Sequence, residues 1–134
     1  MAFLMNRDKI LLLRHKKKSK LLGGQWLGIS EKISAGNDPE DVAIDAVEEQ
    51  TGLAIDRSDI RLRGGIVYVR TGQALLRIVP FMIATSQNEI KLADRYDEFK
   101  WLSPSEIGSI KTIVGLDRII GSLLARNDPE RKIC

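Results

Sequence analysis

The sequence predicts an α/β domain. Three observations carry this: a helix bounded by a cap and a glycine stop between Asp38 and Gly52, short apolar runs on either side that read as strands, and a second helical stripe from Leu116 to Leu124. At 134 residues the chain predicts one domain, 1–134, long enough to bury most of its apolar surface in a single core. Hydrophobic residues make up 43% and charged residues 29%, as in soluble globular proteins, and the net charge of +3 is too small to argue for nucleic-acid binding. Aromatic residues are 5% with no interleaved basic–aromatic platform, so DNA and RNA are not expected as partners. The one cysteine, Cys134, excludes an internal disulfide and suits a reducing cytoplasm. MAFLMNRDK lacks the long apolar core of a signal peptide, and no apolar run approaches membrane-spanning length.

Taken in order, Lys9 to Arg14 (KILLLR) reads as a buried strand. A basic loop follows, with five cations within the seven residues from Arg14 to Lys20, and then Leu21 to Gly28 with Trp26 beside glycines. Such a lysine cluster either steers and holds a polyphosphate or is only a solvated loop. Trp26 either stacks on a base or is structural. His15 is the only histidine, which excludes a multi-histidine metal site and argues against a Ser-His-Asp triad.

In the helix that follows, Asp38 is an N-cap, Pro39 suits the first turn, and Glu40 and Asp41 put negative charge at the positive end of the dipole. Gly52 is a left-handed stop, and Leu53 folds back onto the last turn. Ala43, Ala46 and Val47 share one flank, while Asp41, Asp45 and Glu48 share another. Arg61 to Arg70 and Ala74 to Thr85 read as two strands joined at Thr71-Gly72-Gln73, with Pro80 marking an edge or bulge in the second. Glu89 to Leu92 reads as a short strand and Phe99 to Leu102 follows. Ser103-Pro104 opens a helix, and Val114 to Arg126 is a second helix ended by Asn127 to Glu130, with a frayed tail from Arg131.

From Glu31 to Leu53 the chain resembles the Nudix hydrolases, whose signature is G-x5-E-x7-R-E-U-x-E-E-x-G-U. The closing E-E-x-G-U becomes Glu49-Gln50-Thr51-Gly52-Leu53, and the preceding aliphatic position is Val47. The R-E pair becomes Asp45-Ala46, the earlier glutamate Asn37, and the opening glycine Glu31. Upstream, the first strand, basic loop and glycine–tryptophan segment are similar to the family in order. Downstream, Glu98 to Ser103 with Glu106-Ile107 is similar too. The resemblance spans Lys9 to Leu124 and implies the Nudix fold, a mixed β-sheet sandwiched between helices in an α/β/α arrangement.

It also implies a chemistry: hydrolysis of a nucleoside diphosphate linked to another group, using Mg²⁺ or Mn²⁺ held by helix carboxylates. The family's glutamates fall here on Asn37, Ala46, Glu49 and Gln50, so one carboxylate is left. The family arginine that orients them is Asp45. Two functions follow from this. One is a Nudix-fold protein with weak or no hydrolysis that binds a nucleotide, another diphosphate or a partner in the cleft. The other is an active divergent hydrolase whose metal site is rebuilt from Glu49, Glu48 and Asp45, at i, i+3, i+4 spacing, with loop carboxylates such as Asp94, Asp97 or Glu98. In the second reading Glu49 and Glu48 are the candidate catalytic residues, and Glu49 and Asp45 the candidate metal ligands. Lys16, Lys17, Lys18 and Lys20 are the candidate phosphate contacts. Tyr68, near where diadenosine-polyphosphate members carry a tyrosine, is a candidate base or ribose contact, its alternative being a core residue. A homodimer stays open.

Overall fold

The computed structural model describes residues 1–18 and 23–125. Lys20, Leu21 and Leu22, and the predicted helix end at Arg126 with everything up to Cys134, lie outside the described residues. Among the described residues there are eight strands: β1 (Ala2–Asn6), β2 (Lys9–His15), β3 (Trp26–Leu27), β4 (Ile60–Arg63), β5 (Val67–Thr71), β6 (Ala74–Ile78), β7 (Phe81–Ala84) and β8 (Tyr96–Leu102). Two α-helices, α1 (Pro39–Thr51) and α2 (Leu116–Ala125), accompany them.

The main sheet is mixed. It has the order β3–β2–β1–β7–β4, and β8 pairs with β2. β1 runs parallel to β7, from Ala2 opposite Phe81 to Met5 opposite Ala84, and turns back antiparallel into β2. β5 and β6 form a separate two-stranded ribbon. The unbroken apolar run of β2 reflects burial on both faces. Ile10 and Leu12 join the cluster that contains Leu116, Ile119, Ile120 and Leu123 of α2, whereas Leu11 and Leu13 join the one that contains Ala43, Ala46 and Val47 of α1. Each buried leucine there contributes about 2 kcal/mol. The predicted single core is thus two half-cores with the sheet between them, which is the α/β/α arrangement that the resemblance implies.

Five elements depart from the sequence reading. β1, in the stretch read only for lacking a signal core, is a central strand whose Phe3 and Leu4 point to opposite half-cores. The predicted strands 61–70 and 74–85 are each two strands, because Gly64 and Pro80 meet where the sheet gives way to the ribbon. Gly64 N–H donates to Pro80 O at 3.0 Å, and a Cβ on Gly64 would lie 2.6 Å from Pro80 Cγ. Pro80 therefore ends one strand and precedes another, instead of sitting inside one. Glu89 to Leu92 is irregular backbone: its neighbourhood caps α1, with Lys91 N–H donating to Thr51 O (2.8 Å) and Ala93 N–H to Gln50 O (3.1 Å). The segment opened by Ser103 is a six-residue 3-10 turn, Pro104–Ser109.

Candidate functional site

α1 is bounded as its sequence requires. Asp38 is extended (φ −74°, ψ 123°) and accepts from Glu40 N–H at 2.9 Å, while Gly52 is left-handed (φ 78°) and donates to Glu48 O at 2.9 Å. Its first turn is tied outward. Arg57 bonds Asp38, Glu40 and Asp41, and Arg63 pairs with Glu40. Asp41 is therefore engaged by Arg57.

Ala46 and Gln50 lie on the inner side of the helix, 2% and 1% exposed, and Glu49 is exposed. Gln50 uses both ends of its amide. Nε2 donates to Ser30 O at 2.8 Å, and Oε1 accepts from the Tyr96 hydroxyl. A carboxylate could accept from Tyr96 but could not donate to Ser30. Gln50 thus joins α1 to the segment before it and to β8. Tyr96 is buried, which pushes its phenol above the usual range. His15 stands edge-on to Tyr96, ring centroids 4.9 Å apart at 72°, with Nε2 buried and without a hydrogen-bond partner among the described residues. Burial, then the Arg95 charge, holds its imidazole below the usual 6.5.

Asp45, Glu48 and Glu49 are all exposed on α1, and Asn37 is exposed ahead of it. Among the described residues no group of three or more His, Cys, Asp or Glu side chains is placed to hold a metal ion. Glu31, at the family's glycine position, faces Gln50 Nε2 at 3.5 Å and Arg95 at 3.7 Å. The side chains present on the inner face, Ala46 and the doubly bonded Gln50, do not fit the carboxylate-held divalent centre that the resemblance implies.

Ahead of α1, which reaches it only at Pro39, opens a cleft of about 720 Å³. Residues 30–37 form one wall and Leu76, Arg77, Ile78 and Val79 the other, with Leu27 and Ile113 contributing apolar surface. Lys32 and Arg77 are its cations. Lys16 is half-buried and Lys17 and Lys18 are exposed just beyond β2, outside the cleft lining. Lys20 lies outside the described residues. Tyr68 is 53% exposed, and so is no core residue; it sits on β5 opposite Arg77. Trp26 is buried under Arg14 and Lys100, whose charges lie 5.5 and 5.2 Å from its ring. The sequence reading missed Tyr96, Lys32 and Arg77. Arg77 follows from alternation along β6, but nothing local marks Tyr96 as the partner of Gln50.

No protein-family model matches the sequence. Solved structures do match in fold. The MutT protein from Methanosarcina mazei Go1 superposes with a TM-score of 0.73 at 21% identity, covering 98% of this chain and 91% of that one. The NUDIX domain of Shewanella oneidensis NrtR, complexed with ADP ribose, gives 0.71 at 14% identity over 95% and 84%. A bifunctional NMN adenylyltransferase/ADP ribose pyrophosphatase from Francisella tularensis, complexed with AMP and a Mn ion, gives 0.75 at 17% identity, covering 95% of this chain and 40% of that one. No helix among the described residues is long and apolar enough to cross a membrane. With a mixed sheet between α1 and α2 and a capped helix where the signature falls, the chain has the Nudix fold.

Proposed function

We propose that the cleft binds a nucleotide or similar diphosphate-containing molecule and that the chain hydrolyses it weakly or not at all. One observation carries the reading: Gln50, at the position of a family carboxylate, is buried and spends its amide on Ser30 and Tyr96. A group so held neither supplies negative charge nor has a free oxygen to offer a hard cation. Ala46 beside it offers no ligand atom. Binding does not need that charge. Lys32 in the cleft and Arg77 at its edge supply cations for phosphate, Lys16, Lys17 and Lys18 lie outside its lining, and the exposed Tyr68 opposite Arg77 supplies a ring for base or ribose. The ADP ribose and AMP bound by two proteins of the same fold support the ligand class.

A second reading is favoured by the exposure of Asp45, Glu48 and Glu49 on one stretch of α1. There, Glu49 and Asp45 hold Mg²⁺ or Mn²⁺ and Glu49 and Glu48 act in hydrolysis. A panel of nucleoside diphosphate derivatives, assayed for pyrophosphate cleavage with Mg²⁺ and Mn²⁺ beside a Glu49→Gln control, separates the two. The first reading expects ADP ribose to bind without turnover. Metal-dependent turnover that disappears in Glu49→Gln would replace it with the second.

A further inference from the structure

β5 and β6 pair only with each other among the described residues, so the ribbon has two outer edges. The β5 edge is guarded: Arg118 of α2 donates to Tyr68 O at 3.3 Å. That bond also fixes the phase of the ladder. Because the Tyr68 carbonyl points away from β6, Tyr68 and Arg77 form a non-hydrogen-bonded pair, and the main-chain N–H and C=O of Arg77 point away from β5. Leu75, two residues earlier and opposite Arg70, has the same phase. Val79, two residues later, also has it, and its carbonyl accepts from the Met1 amine at 2.8 Å. Between these points the outward groups of Leu75 and Arg77 have no partner among the described residues. The cleft runs along this edge, and its far wall includes the irregular backbone of Glu31 to Ile33.

An unpaired strand edge beside an open slot is a template for another strand. The charges select which. Leu75 and Arg77 carry their side chains on the exposed face, with Arg70 opposite Leu75. Neither strand of the ribbon has a carboxylate. A second copy paired edge to edge would bring Arg70 and Arg77 of both chains together uncompensated, which is unfavourable. The inner side of an added strand would meet Leu27, Ile78 and Ile113. We propose that the open edge of β6 takes up an extended segment of a partner protein by strand addition, with acidic side chains on the outer face and apolar ones in the cleft.

The test uses the full chain, isotopically labelled, and amide exchange read residue by residue. The probe is acetyl-Val-Glu-Val-Glu-Val-amide, with a lysine-for-glutamate version as control. The acidic peptide is expected to slow exchange at the Leu75 and Arg77 amides about tenfold, with no effect from the basic one. Arg77→Glu is expected to reverse that preference. N-methylation of alternate peptide residues is expected to abolish binding in one phase and spare it in the other, a readout independent of any protein variant. Three results would overturn the proposal: no slowing with either peptide, equal slowing with both, or slowing without peptide that grows with protein concentration. The last would make a second copy the occupant.

Discussion

Gln50 differs from glutamate by one N–H group, and Ser30 O takes it. Replacing Gln50 by Glu puts a buried carboxylate against a carbonyl, which is expected to cost about 2–3 kcal/mol near neutral pH. Burial raises the pKa of such a carboxyl above its unfolded value of about 4.3, so the loss is present above that value and is relieved as pH falls and the group protonates. Urea unfolding of both proteins at about pH 8 and about pH 5 should show the gap narrowing at the lower pH. A gap unchanged with pH would mean that the position is not buried as described. Tyr96→Phe removes the donor to Gln50 Oε1 and is expected to cost about 1 kcal/mol by the same measurement. His15 makes a separate prediction. Its folded pKa lies below the usual 6.5, so as pH falls through 6.5 the unfolded chain takes up a proton that the folded chain refuses. Stability falls over that window and levels off below the folded pKa. His15→Phe, which keeps a ring against Tyr96, is expected to flatten this part of the pH profile.

Elements whose signals are local were legible, and those fixed by distant contacts were not. The limits of α1 rest on Asp38, Pro39 and Gly52, all within or beside the helix, and each does what its residue type predicts. Asp38→Ala is expected to cost about 1 kcal/mol through the lost bond to Glu40 N–H. Gly52→Ala should cost about 1–2 kcal/mol, because an L side chain is strained at φ 78° and would crowd Lys91 Cβ at 3.1 Å. Thermal or denaturant midpoints check both. The strand breaks at Gly64 and Pro80 depend on the two residues meeting across sixteen positions, which periodicity does not reveal. The 89–92 segment has strand-forming residues, yet its backbone serves the last carbonyls of α1, a demand set by the tertiary fold. For the candidate site the same division holds. That positions 46 and 50 are Ala and Gln is read directly from the sequence, but the bond between Gln50 and Tyr96 spans 46 positions and appears only in three dimensions.

At the scale of the whole molecule, the sheet lies between α1 and α2, and Ala46 and Gln50 make the inner side of α1 neutral. Ala46 packs in the half-core and Gln50 is buried beside it, while Asp45, Glu48 and Glu49 face solvent. The fold supplies a ligand-sized cavity lined by Arg77, Lys32 and Glu31, with no carboxylate of α1 in its lining. The most direct test is the affinity for ADP ribose by titration calorimetry, once in EDTA and once in excess Mg²⁺. The account predicts binding in both, with dissociation constants equal within about twofold and unchanged in Glu49→Gln. Binding that appears only with Mg²⁺ and is lost in Glu49→Gln would contradict it.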